Sequence, residues 1–228
     1  DEYGRSYIDI EDAISYIRST DSIKYSILKR IVNAAIRNGV SRIDVTDMMK
    51  AFGSVRVRKD GSLVDVKLSI DRDALRDKDC FANTVLHELI HAALIGIDTL
   101  SASSSASDLY SKYIDYMNQS DSIKAASIKQ IITNFDEFLA EGGNDYTLGS
   151  FVEWAKANNV QLFGGSSALS KICNALISLI DKIFEYLGVS NLSTRLAKKV
   201  VMYEILRFID TNRDGSAKNN VAEGITII

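Results

Sequence analysis

The 228-residue chain is 46% hydrophobic and 25% charged, which places it among ordinary globular proteins and excludes disordered, collagen-like and coiled-coil classes. Its 27 Lys and Arg against 30 Asp and Glu leave a net charge of -3, with no Lys/Arg run longer than two, so nucleic acid is not an expected partner. Uncharged apolar stretches such as Ile172 to Ile180 fall far short of the ~20 residues a bilayer needs, and no membrane or secretion segment is expected.

The length fits one domain of above-average size, with an N-terminal helical segment over 1–50, a core over 51–160 and a C-terminal helical segment over 161–228 packing on it. Cys80 and Cys173 are far apart on stretches that read as helices and are expected as buried thiols in a reducing compartment. The chain lacks proline; separately, it does not begin with Met, which suggests a fragment or processed piece.

In chain order, residues 8–37 read as helix broken near Thr20 and Asp21, with Ile23, Ile27, Ile31 and Ala35 at four-residue steps and Gly39 as the stop. From Phe52 to Ile70 the period changes to two. Val55 and Val57 alternate with Arg56 and Arg58, and Val64, Val66, Leu68 and Ile70 alternate with Asp65, Lys67 and Ser69, so a β-hairpin turns at Lys59-Asp60-Gly61-Ser62. The acidic stretch Asp71 to Asp79 reads as a solvated loop leading into a helix over 80–95, capped by Asp79 and stopped by Gly96. Ser101 to Ser107 reads as a connector. Helical spacing follows over 108–117, 122–132, 134–141, 148–157, 169–187 and 194–209.

The two histidines of the sequence lie four apart, in His87-Glu88-Leu89-Ile90-His91. On a helix, positions i and i+4 point the same way one turn apart, so both imidazoles can converge on one ion, as zinc requires. Glu88, next around the helix, can face a water on that ion without ligating it, the general-base position of zinc hydrolases. The alternative is a pair of core histidines satisfied by hydrogen bonds. Chance placement of this motif has a probability of about 3 in 10,000, and the helix is apolar nearly all round, where unpartnered imidazoles are costly.

A catalytic zinc normally has three protein ligands, so with no third His a carboxylate is implied. The best source is Asn134-Phe135-Asp136-Glu137-Phe138-Leu139-Ala140-Glu141, whose glutamates are again four apart. One could ligate and the other orient. Equally, Glu137 reads as a capping-box residue three after Asn134, and Glu141 as a solvated C-terminal charge.

HELIH followed by DEFLAE resembles the gluzincin branch of zinc metallopeptidases. It is most similar to zincin-like domains of large phage-encoded polyproteins and, more distantly, to the catalytic domain of anthrax lethal factor. The resemblance covers roughly 52–158. It implies that Glu137 is the third zinc ligand, that Glu141 hydrogen-bonds a ligand histidine, and that the hairpin belongs to a sheet whose edge strand lines the substrate cleft. It also implies a phage virion or host cytoplasm as the setting. Lethal-factor-like enzymes carry an oxyanion-stabilising Tyr before the glutamate motif, whereas Ser120 to Glu141 contains no Tyr, His or Arg. Tyr110, Tyr113, Tyr116 and Tyr146 are near in sequence but sit at the helical spacing of core residues.

Asp210-Thr211-Asn212-Arg213-Asp214-Gly215 copies the first half of an EF-hand loop, with Asp210, Asn212 and Asp214 as oxygen donors. Position 12 is Val221, so a plain turn and no tight calcium site is expected. The expectation is therefore an α+β, zincin-like protein: a short twisted sheet, an active-site helix, a glutamate helix and further helices at both ends. It would bind one Zn²⁺ through His87, His91 and Glu137 and hydrolyse peptide bonds of a peptide or protein substrate with Glu88 as base. The competing expectation is a non-catalytic zincin-like module of a phage particle protein.

Overall fold

The computed structural model describes residues 6–20, 25–47, 52–60, 63–99, 105–119, 132–141, 145–162, 192–211 and 226–227. It has an α+β architecture. The alternating segments form β3 (Gly53–Asp60) and β4 (Leu63–Asp71), paired antiparallel from Gly53↔Ile70 to Asp60↔Leu63, so two residues join them as expected for a tight hairpin. Residues 61–62 themselves lie outside the described residues.

The hairpin is part of a mixed sheet whose other strands the periodicity did not reveal. β1 (Ser6–Ile8) pairs antiparallel with β2 (Ile43–Thr46), and β2 runs parallel to β4. Ile8, expected in a helix, thus closes a strand, because three residues are too few to display a period. The two-residue β5 (Thr226–Ile227) pairs with β3 through Val55↔Ile227 and Arg56↔Thr226, giving the order β1-β2-β4-β3-β5. At Val55 and Arg56, then, β3 is not the sheet's edge.

The chain divides into two compact units. The first, Asp1–Asp98 with Ile205–Ile228, contains the sheet together with α1 (Ile10–Thr20), α2 (Tyr25–Arg37), a 3₁₀ turn (Arg72–Arg76) and α3 (Lys78–Leu94). α1 ends at Thr20 and α2 begins at Tyr25, the break expected near Thr20 and Asp21 bordering residues 21–24, which lie outside the described residues, and Gly39 takes a φ of 112° after α2. Leu28, Ile31, Val32 and Ala35 of α2 and Ile14 and Ile17 of α1 are buried, as are Ile43, Val55, Val66, Leu68 and Ile70 of the sheet. α3 packs against both helices, the 3₁₀ turn and β3 and β4. That central position explains why its sequence is apolar nearly all round.

The second unit, Thr99–Glu204, contains α4 (Ser105–Gln119), α5 (Phe135–Ala140), α6 (Asp145–Ala157) and the first part of α7 (Leu192–Thr211). Its core is aromatic. Tyr110 and Tyr113 lie 5.3 and 5.4 Å, ring centre to ring centre, from Phe138, Tyr113 lies 5.8 Å from Phe151, and Tyr116 lies 5.3 Å from Trp154. Residues 105–107 of the expected serine connector belong to α4 instead. The helices expected over 122–132 and 169–187, and Cys173, fall on residues that lie outside the described set, apart from Ile132, which is not helical. Among the described residues, no helix is long and apolar enough to cross a membrane.

Candidate metal centre

The helix that carries HExxH is held at both ends. Asp77 rather than Asp79 caps its N-terminus, accepting at Oδ1 from the Cys80 backbone N–H at 2.7 Å, which starts the helix two residues earlier than expected. At the other end Asn38 Nδ2 donates to the carbonyls of Ala92 (2.8 Å) and Ala93 (3.2 Å), which have no partner within the helix. Gly96 follows at a φ of 76°. Cys80 is a half-buried free thiol in the first turn.

Within this frame His91 is buried and His87 half-buried, and their Nε2 atoms are 3.0 Å apart, with rings crossing at 70°. Two imidazole nitrogens sharing one tetrahedral zinc at about 2.05 Å would stand roughly 3.3 Å apart, so the pair is already close to the separation an ion imposes. Glu88 is also buried, and its carboxylate lies against the backbone of Gly53 at the start of β3. Sequence reasoning did not single out Gly53. The available signal was a glycine opening a strand pattern, which often marks a close approach by another group.

The glutamate helix is organised by Asn134, whose Oδ1 accepts from the Glu137 N–H at 2.9 Å. This is the N-cap half of the expected capping box, and it fixes the first turn that carries Glu137. Glu137 is buried, flanked by the buried Phe138 and Leu139. Glu141 is not the solvated charge that one reading expected: it is 8% exposed, sits at the helix C-cap, and accepts at Oε2 from the Thr147 hydroxyl at 3.1 Å. Thr147 is a supporting residue that no motif announces. Asp136 accepts from the Thr99 hydroxyl.

His87, His91 and Glu137 form a group that could hold a metal ion, with one ligand atom of each within 4.8 Å of the others. Two imidazoles and a carboxylate are a donor set that zinc takes in hydrolytic sites, so the residues fit the ion the motif implies.

The tyrosines play a different part. Tyr113 and Tyr116 are fully buried, and burial raises the Tyr113 hydroxyl well above the ordinary tyrosine range, assisted by Tyr116, Tyr110 and the nearby Glu141. Tyr110 is raised by burial and by Asp136. The side chain of Tyr146 lies outside the described residues. At the calcium-like loop, Asp210 is paired with Arg30, while Asn212 and Asp214 are outside the described residues.

No family model, no curated protein and no solved structure matches this chain.

Proposed function

We propose that the chain is a zinc-dependent peptidase in which His87, His91 and Glu137 hold the ion, Glu88 moves the proton and Glu141 steadies the ligand set. The observation that carries this reading is the 3.0 Å approach of the two Nε2 atoms in a group completed by the Glu137 carboxylate. Bound zinc would polarise a substrate carbonyl and acidify the attacking water. Everything else falls to the protein's side chains. The two imidazoles present their nitrogens from successive turns of a helix capped at both ends, so little reorganisation is needed to accept an ion. The burial of Glu88, one residue from a proposed ligand, supports its reading as the group that accepts a proton from water and returns it to the leaving amine. Glu141, anchored by Thr147, supplies a fixed carboxylate of the kind that orients metal ligands. A peptide as substrate is supported by the resemblance of HELIH and DEFLAE to gluzincins.

The experiment is a comparison of the zinc-loaded wild type with Glu88→Gln on degenerate extended-peptide libraries, read by mass spectrometry. Cleavage by the wild type, reduced roughly 10²- to 10⁴-fold in Glu88→Gln with zinc content unchanged, is the expected result. A wild type that holds zinc and cleaves no better than the variant would favour a zincin-like scaffold without turnover.

A further inference from the structure

Gly53 is the first residue of β3 and is buried. A methyl carbon placed on its Cα would stand 2.5 Å from Glu88 Oε1, 2.6 Å from Cγ and 2.9 Å from Cδ, distances that non-bonded carbon does not tolerate. Glycine is not required there by the backbone. The positive φ values among the described residues belong to Gly39, Gly96 and Asn159, and Gly53 sits in regular antiparallel register opposite Ile70. In such a position glycine weakens a strand relative to alanine, so its presence needs another reason.

Neither partner in this contact can easily withdraw. On the strand side, the Asp71 N–H donates to the Phe52 carbonyl at 2.7 Å, just before the Gly53↔Ile70 pair, which ties this end of β3 to β4. On the helix side, α3 is fixed by Asp77 at one end and Asn38 at the other. The atoms that would have to give way are those of the Glu88 side chain. We infer that Gly53 is a positioning residue for Glu88: the missing side chain leaves room for the carboxylate where it lies, and any larger residue would swing it away from the place where it takes the proton. This rests on the role of Glu88 proposed above.

The test compares zinc-loaded wild type, Gly53→Ala, Glu88→Ala and the double variant. Gly53→Ala should lower Tm when Glu88 is present and raise it when Glu88 is Ala, because the methyl then fills the vacated space and alanine favours the strand. That reversal of sign is a signature that a merely structural glycine would not produce. On a quenched fluorescent peptide chosen from the library, Gly53→Ala should lower kcat at least tenfold towards the Glu88→Gln level, with zinc content and KM unchanged.

The same sign in both backgrounds would overturn the contact. A sign reversal with unchanged kcat would overturn the positioning role, as would loss of zinc in Gly53→Ala. If Gly53→Ala does not fold, the double variant must fold, and failure of both would refute the inference. A wild type that cuts nothing while the reversal holds would instead remove the peptidase reading, leaving the contact but ending any catalytic meaning for Gly53.

Discussion

The helices α3 and α5 each place two chemistry-bearing residues four apart, yet they hold them in different ways. α3 runs for 17 residues, is buried on nearly every side and is fixed at both ends by side-chain hydrogen bonds. Its own periodicity sets the His87–His91 geometry. α5 has six residues, so its second glutamate, Glu141, lies at the C-cap rather than in the helix. There the positions depend on the Asn134 cap, the buried Phe138 and the Thr147 hydroxyl. A spacing of four therefore carries geometric information in proportion to the helix around it, since a short helix is marginal without tertiary packing.

The largest effects should come from the proposed metal ligands. Elemental analysis should find about one zinc per chain in the wild type and none after His91→Ala or Glu137→Ala, while Glu141→Ala should weaken zinc affinity roughly 10- to 100-fold in a chelator competition. If Glu141→Ala abolished binding and Glu137→Ala only weakened it, the two glutamates would exchange roles.

Core truncation separates the helices next. Leu89→Ala should cost about 2–5 kcal/mol and Phe138→Ala about 3–5 kcal/mol in urea denaturation, since both side chains are fully buried. Once corrected for the unfolded fraction, zinc affinity should fall in Phe138→Ala, whose short helix depends on that ring, and hold in Leu89→Ala. Equal loss in both would mean that α3 is no more self-sufficient than α5.

Smaller still are the caps. Asp77→Ala and Asn134→Ala should each cost about 1 kcal/mol. Only Asn134→Ala should also weaken zinc binding, because the cap it removes lies within three residues of Glu137.

The smallest change concerns Tyr113, whose hydroxyl is buried without a hydrogen-bond partner. Tyr113→Phe should raise stability by about 1 kcal/mol by removing that desolvated group. With the folded-state pKa raised above the ordinary 10.0, both states keep the proton at lower pH, and stability is lost as pH rises past 10, where only the unfolded chain ionises readily. The alkaline fall measured by denaturant unfolding should be shallower in Tyr113→Phe. An unchanged slope would show that Tyr113 does not contribute to it.

Local rules account for much of this protein. HExxH on an apolar helix, the 53–71 hairpin and the pairing of Asn134 with Glu137 can all be read from spacing, since each involves neighbours within about one turn or one hairpin. Other features depend on contacts between distant residues. Ser6–Ile8 and Ile43–Thr46 are strands because partners pair with them, and segments of three or four residues carry too little pattern to announce it. Asn38 closes a helix end 54 positions away, an acceptor that no local motif encodes. Glu141 is buried and accepts from the Thr147 hydroxyl, while its sequence neighbours suggested only an exposed helix end as one reading. Gly53 shows the limit most clearly. The sequence places a glycine at a strand's first residue, but only the packing of α3 on β3 shows that the missing side chain makes room for Glu88, because that space is created by two elements separated along the chain.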